Sequence, residues 1–354
     1  MRRALEEARR GAPSPNPPVG AVVFRDGVAV GAGFHARAGD AHAEVVALRE
    51  AGDRARGATL VVTLEPCNHH GRTPPCTEAI LQAGVARVVY ASADPNPHVD
   101  GGGGAWLRAR GVEVVAGFGA LQAEADHLIA PWRTFITRGR PFVTLKLAMS
   151  LDGRIATRGG ESQWITGASA RADGHALRAE SDAVLVGSGT VLADDPRLTV
   201  RDAPVVRAPT RVVVDSALRI PLDSALVRTA REVPTAVVTV RGRDARALVD
   251  AGVTVLAVEA GAAGRVDLHA ALRALAGRGV VSVLCEGGGG LHGALVDAGL
   301  VDRVVAYVAP MVIGGAGATS AVAGVGAATL AEVTRFAWTR VARLGDDLRL
   351  EGEV

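Results

Sequence analysis

Glu65-Pro66-Cys67-Asn68-His69-His70-Gly71-Arg72-Thr73-Pro74-Pro75-Cys76 is the stretch on which the reading of this chain turns. It follows Thr59-Leu60-Val61-Val62-Thr63-Leu64, β-rich and apolar enough to be a buried central strand. It precedes residues 77–83, which the sequence predicts to be a helix capped by Thr77 and stopped by Gly84. A buried strand, a polar loop with two cysteines and a helix form one step of an α/β architecture. Upstream, His42-Ala43-Glu44 opens a second predicted helix that ends at Gly52. One imidazole, two thiols and a spare carboxylate are what a zinc centre needs when one coordination position stays open for water. A helix N-terminus favours the ionised thiol, which suits Cys76 as a ligand.

Outward from this stretch the same architecture continues. Residues 2–10 read as an amphipathic helix. Residues 19–24 and 28–34 are apolar runs joined by Arg25-Asp26-Gly27, a hairpin turn of the Asp-Gly kind. Residues 87–91 and 112–115 are further strands, so the first part is a mixed sheet covered by helices. Arg138-Gly139-Arg140-Pro141 interrupts both periodicities and reads as a linker, dividing the chain into domains 1–138 and 141–354. Beyond it, strands are expected at 142–147, 183–186, 211–214, 235–240, 253–258 and 280–284. Helices at 168–179 and 268–276 separate several of them. The expected fold class is α/β in both domains.

Composition narrows the function. A chain of 354 residues fits two ordinary domains, and 48% hydrophobic residues can fill two cores. With 39 Lys+Arg against 37 Asp+Glu there is no overall field to attract a polynucleotide. Three cysteines exclude a disulfide scaffold and suit a reducing compartment. No apolar run reaches the roughly 18 residues of a membrane span. Met1-Arg2-Arg3-Ala4-Leu5-Glu6-Glu7 has no apolar core behind its arginines, so no signal peptide is expected and the location expected is cytoplasmic.

A His/Cys/Cys zinc beside a glutamate that is not a ligand is the arrangement of nucleobase deaminases, in which the glutamate moves protons between water and the leaving ammonia. Two other readings stay open on these residues. A structural zinc would take a fourth ligand, for which His69 and His70 are available, leaving a non-catalytic binding protein. A zinc deaminase with an appended binding domain could act on another nucleobase or on nucleic acid.

A closer resemblance lies in Ser14-Pro15-Asn16-Pro17-Pro18-Val19-Gly20, His42-Ala43-Glu44, the Glu65–Cys76 stretch and Asp94-Pro95-Asn96-Pro97. Together these resemble the bifunctional deaminase/reductase family of riboflavin biosynthesis, and the His-His-Gly-Arg-Thr between the cysteines is the specific part. The resemblance implies a cytidine-deaminase-like three-layer mixed sheet. It also implies zinc ligands His42, Cys67 and Cys76, a proton shuttle at Glu44, and substrate-pocket residues Asn16, His70 and Arg72.

The second domain is similar to the reductase half of the same family. The motifs are Leu145-Lys146-Leu147-Ala148-Met149-Ser150-Leu151-Asp152-Gly153-Arg154, Gly160-Glu161-Ser162-Gln163-Trp164-Ile165-Thr166, residues 187–199 and Cys285-Glu286-Gly287-Gly288-Gly289-Gly290-Leu291. Glycines between an apolar strand and a helix let the backbone approach a diphosphate, although this run is not the G-x-G-x-x-G fingerprint of dinucleotide-binding folds. The resemblance implies a dihydrofolate-reductase-like fold that uses NADPH. Ala148, Trp164, Thr190, Asp194, Ser216 and the segment from Gly288 through Gly289 and Gly290 to Ala294 would contact the cofactor. Ser162, Arg178, Leu198, Arg201 and Glu286 would contact substrate. A guanidinium pairs with phosphate in fork geometry, which suits Arg178 and Arg201 to a ribose phosphate. Lys146, inside an apolar strand, needs a partner or a function; with Glu286 it is the candidate for polarising the sugar and relaying protons, a buried ion pair being the alternative. The expected partners are small phosphoribosylated pyrimidines, with no nucleic acid and no membrane, and the chain is expected to form a homo-oligomer.

Overall fold

The structure, a computed structural model, describes the chain except for Arg72, residues 97–101 and Asp202. It divides into two compact units, Met1–Gly139 and Arg140–Val354.

The first unit is built on five strands: β1 (Gly20–Arg25), β2 (Val28–Phe34), β3 (Thr59–Leu64), β4 (Arg87–Ser92) and β5 (Glu113–Ala116), in the order β2-β1-β3-β4-β5. β1 runs antiparallel to β2 and β3, and β3, β4 and β5 are parallel. Asp26 and Gly27 turn the hairpin with φ of 50° and 77°, the two positive values that match the twist of the flanking strands. β3 is the buried central strand its composition indicates. Helix Ala43–Ala51 lies against β1 and β2, where Gly31 and Gly33 let the two backbones come close. The helix expected from Thr77 begins at Cys76 with Pro75 before it. Thr77 does not cap it: its hydroxyl donates instead to Asn68 Oδ1 at 2.9 Å, tying down the loop between the cysteines. The first helix stops at Ala8, two residues short of the expected end. Helices Gly103–Arg108, Ala120–Leu128 and Ala130–Arg138 complete the unit.

The second unit holds β6 (Phe142–Ser150), β7 (Arg154–Ala156), β8 (Ala183–Gly187), β9 (Thr210–Val214), β10 (Thr235–Val240) and β11 (Thr254–Val258). It continues with β12 (Ser282–Cys285), β13 (Arg303–Ala309), β14 (Thr319–Ser320), β15 (Ala337–Leu344) and β16 (Asp347–Glu353). Nine of these form one sheet, β11-β10-β9-β8-β12-β6-β13-β16-β15, while β7 pairs with β14. The sheet is parallel from β11 to β13, and β16 and β15 are antiparallel additions at its edge. Val143, Leu145 and Leu147 on one face of β6 enter the main core with Leu185, Val212 and Val283. The alternation that buries them places Lys146 and Ala148 on the other face. β9, β8 and β12 are neighbours and end at Val214, Gly187 and Cys285, so Asp215, Ser188 and Glu286 stand together at the carboxyl edge of the sheet, where open α/β sheets bind ligands. Among the described residues no helix is long and apolar enough to cross a membrane.

Candidate active sites

In the first unit, His42 Nδ1 lies 3.2 Å from Cys76 Sγ and 3.5 Å from Cys67 Sγ. Among the described residues these three form the group of metal-ligand type, with all donor atoms within 4.8 Å of one another. Bond lengths of about 2.0–2.3 Å in a tetrahedral zinc centre separate donor atoms by roughly 3.3–3.8 Å, so the set fits zinc. Local structure explains the convergence. His42 precedes helix Ala43–Ala51, Cys67 follows β3, and Cys76 is the first residue of its helix, its N–H donating to Cys67 Sγ at 3.4 Å. The contact between the two cysteine side chains holds the Cys67 thiol down to about 4 against the opposing effect of burial, while the same side-chain contact and burial push Cys76 up. Glu44, in the first turn of its helix and 3% exposed, is pushed up to about 7, chiefly by burial and then by the Cys67 charge.

His42, Glu44 and Cys67 line a cavity of about 390 Å³, with Asn16, His35, His69 and Asp94 also on its wall and Cys76 buried behind it. His35 Nδ1 bonds the Ala41 carbonyl at 3.2 Å, which leaves Nε2 to accept from Asn16 Nδ2 at 2.9 Å. The His35 ring meets the His42 ring edge-on at 5.1 Å. Thr73 Oγ1 sits 3.3 Å from His42 Nε2, holding the imidazole by its far side. Glu65 accepts from the Asp94 and Gly104 N–H groups at 3.3 and 2.9 Å and so fixes the rim.

In the second unit, Glu286 follows β12 with its side chain 8% exposed. Lys146 Nζ lies 3.5 Å from its Oε2. Arg178 donates to it twice, through Nε to Oε1 and through Nη2 to Oε2 at 3.0 Å, and Arg178 Nη1 donates to the Thr199 carbonyl at 2.9 Å. Burial would raise the Glu286 carboxyl, but Lys146 and Arg178 outweigh it and hold the group down to about 2. Lys146 also lies 5.8 Å over the Tyr307 ring, whose hydroxyl donates to Asp173 Oδ2 at 2.5 Å. Beside this cluster the nine-residue helix Gly289–Asp297 opens on Gly288, Gly289 and Gly290, with open space at the Gly290 Cβ position. The N-terminus of a helix that starts on glycines, with open space at Gly290, is of the kind whose N–H groups can receive a diphosphate.

Residues 141–350 match the RibD C-terminal domain family, and residues 1–92 match the cytidine and deoxycytidylate deaminase zinc-binding region. The riboflavin biosynthesis protein RibD of Bacillus amyloliquefaciens is 42% identical over 99% of this chain and 94% of its own length. The chain belongs to the RibD family. RibD of Escherichia coli (strain K12) is likewise 42% identical, over 99% of this chain and 97% of its own. Among solved structures, Acinetobacter baumannii RibD (form 1) is similar with a TM-score of 0.87 and 40% identity, covering 100% of this chain and 97% of that one. A diaminohydroxyphosphoribosylaminopyrimidine deaminase/5-amino-6-(5-phosphoribosylamino)uracil reductase from Thermotoga maritima is similar with a TM-score of 0.85 and 34% identity, again over 100% and 97%. The fold of a RibD-family chain, a zinc-binding deaminase domain followed by a reductase domain, is therefore the fold present here.

Within this RibD-family fold the residues singled out from sequence divide into groups. His42, Cys67, Cys76 and Glu44 converge, and Asn16 lies on the cavity wall with His42, Glu44 and Cys67. His70 is not brought there: its side chain is 73% exposed and pairs with Glu78 at 3.4 Å, and His69 faces the cavity instead. Arg72 lies outside the described residues. Neither His69 nor His70 joins the donor group, so the structural-zinc reading lacks its fourth ligand among the described residues.

Lys146, Arg178 and Glu286 converge. The Arg178 fork is engaged by Glu286 and Thr199, so the structure turns it toward a carboxylate where the sequence suggested phosphate. Ala148 shares the Lys146 face of β6. Thr190 and Asp194 lie on helix Ser188–Asp194 after β8, with Thr190 Oγ1 3.9 Å from where a Gly288 Cβ would stand. Ser216 follows β9, its Oγ accepting from Val266 N–H at 2.9 Å. Leu198 is buried, Ser162 half-buried and Arg201 exposed, with the Arg201 N–H donating to His175 Nδ1 at 3.2 Å. Trp164 is exposed under the Arg171 guanidinium, 4.6 Å from its ring. His35, Tyr307 and Asp173 carried no sequence signal, because their partners are remote in the chain, and Thr73 stood in the motif between the cysteines without a role assigned to it.

Proposed function

We propose that the chain catalyses two consecutive steps of riboflavin biosynthesis, one in each unit. The first is zinc-dependent hydrolytic deamination of 2,5-diamino-6-(5-phosphoribosylamino)pyrimidin-4-one. The second is NADPH-dependent reduction of 5-amino-6-(5-phosphoribosylamino)uracil to its ribitylamino product. The observation that carries this reading is the convergence of His42, Cys67 and Cys76 beside a cavity that the buried Glu44 lines, in a chain of the RibD family.

His42, Cys67 and Cys76 would hold zinc, which when bound brings the pKa of a water toward neutrality. Glu44, whose burial raises its proton affinity, takes up the proton that the attacking water loses and delivers it to the departing amine. Asn16, its amide oriented by His35, accepts from a pyrimidine N–H through its carbonyl oxygen. In the second unit Ala148, Trp164, Thr190, Asp194, Ser216 and Gly288–Gly290 would bind NADPH, which when bound supplies hydride. Lys146 donates toward the sugar oxygen, and Glu286 holds Lys146 and Arg178 in place. Arg201, exposed, is the guanidinium left to meet the ribose phosphate, with Ser162 and Leu198 as further substrate contacts. The reading includes a cytoplasmic homo-oligomer, for which Trp338 and Val341, 63% and 64% exposed on edge strand β15, supply an apolar surface.

The test supplies the diaminopyrimidine with NADPH to zinc-loaded protein and follows ammonia and NADPH separately. Ammonia should appear first, and the deaminated intermediate supplied alone should consume NADPH without ammonia. Absence of ammonia from this substrate, with release from another nucleobase or from single-stranded nucleic acid, would replace the reading with that of a deaminase carrying a binding domain.

A further inference from the structure

Asp195 and Leu198 hold left-handed backbone, with φ of 38° and 51°, within four residues of one turn. Side chains with a Cβ resist that conformation, and it persists where the surroundings impose it. Three bonds from three different elements do so here. Asp195 Oδ1 accepts from the Ala225 N–H at 2.7 Å. The Arg197 carbonyl accepts from Arg211 Nη1 at 3.3 Å. The Thr199 carbonyl accepts from Arg178 Nη1 at 2.9 Å.

Arg211 is the unusual member of this set. It lies on β9, 1% exposed. The acceptors around its guanidinium are neutral: the hydroxyls of Thr229 and Thr235 and the carbonyls of Arg197, Leu226, Thr229 and Val233. A buried cation is costly unless every N–H is bonded, and this one is bonded throughout. Its fork ties the 195–199 turn to the segment between the helix Ala225–Arg228 and β10. The turn in turn shares Arg178 with Glu286, so three hydrogen-bonded links, Arg211 to Arg197, Thr199 to Arg178 and Arg178 to Glu286, join Arg211 to the Lys146–Glu286 pair.

We propose that Arg211 is a positioning residue of the reductase site, fixing the strained 195–199 turn so that Leu198 and the Arg178-bound Thr199 are preset for the aminouracil substrate. This rests on the two-step reading above. A preset turn removes an ordering cost from binding and touches no reacting atom, so its loss is read in the KM for that substrate and not in the chemical step.

The test compares the full-length wild type with Arg211→Lys and Asp195→Ala, supplied with 5-amino-6-(5-phosphoribosylamino)uracil and NADPH. The Arg211→Lys change keeps the charge with three donors in place of the five-donor fork. Asp195 is exposed, and Asp195→Ala loosens the same turn without disturbing a buried cation, so it decides the matter if Arg211→Lys does not fold. The expected result in each is a rise of about tenfold in KM for the aminouracil. Its kcat should stay within about threefold, with unchanged KM for NADPH and unchanged ammonia release. An unchanged aminouracil KM in the folded variants overturns the proposal. So does a fall in kcat alone, or an equal rise in the KM for NADPH, which marks general loosening of the unit. A wild type that oxidises no NADPH on this substrate overturns the two-step reading instead, so the two failures are distinguishable.

Discussion

Glu44 shows how a single position sets chemistry. Its burial in the first turn of helix Ala43–Ala51 raises its proton affinity, and the donor residues His42 and Cys67 share its cavity. Glu44→Gln keeps the shape and removes the titrating group, so ammonia release should fall by roughly 10²–10⁴-fold while NADPH oxidation on the aminouracil stays intact. Separate ammonia and NADPH assays check this. Cys67→Ser should lower bound zinc from about one equivalent toward none, read by elemental analysis of the purified protein. Glu286 gives a pH prediction with a definite sign. Its carboxyl is held below the ordinary 4.5, at about 2, so the stability it contributes is fully present above about pH 4.5 and is lost as pH falls toward 2. Glu286→Gln leaves two cations without their counter-charge and should cost roughly 3–5 kcal/mol at neutral pH. Denaturant titrations of both proteins at a series of pH values should show the difference shrinking across that acid window.

Elements place these residues. Helix Ala43–Ala51 brings His42 and Glu44 to the cavity because β2 has no side chain in its way at Gly33. A Cβ there would stand 2.6 Å from both the Ala43 carbonyl oxygen and the Ala47 nitrogen. Gly33→Ala should therefore cost about 1–3 kcal/mol and depress deamination while the reductase step is kept, as measured by denaturation and the two assays. The strands of both sheets could be located from sequence wherever apolar runs met turn residues, as at β2, β3 and β10. Strands β13, β15 and β16 were not foreseen. β15 lies at the sheet edge with most of its residues exposed, so hydrophobic alternation could not mark it. Thr77 had the composition of a cap, yet its hydroxyl went to Asn68, because the loop between the cysteines needed closing more than the helix needed a cap.

At the scale of the molecule, the His42–Cys67–Cys76 donor group lies within Met1–Gly139 and the Lys146–Arg178–Glu286 cluster within Arg140–Val354. The two defects should thus be separable: an equimolar mixture of Glu44→Gln and Lys146→Ala proteins should convert the diaminopyrimidine to the ribityl product, which neither forms alone, as followed by chromatography of the products. The sequence by itself determined the α/β class of both halves, the donor types of the metal site, and the lysine and glutamate of the second, because each rests on local periodicity or on short motifs with their own chemistry. Tertiary structure alone decided that His69 and not His70 faces the cavity, that the Arg178 fork meets Glu286, that His35 bonds Asn16 on the cavity wall, and that Arg211 bonds the 195–199 turn. Those outcomes depend on which distant segments meet, and no spacing along the chain encodes that.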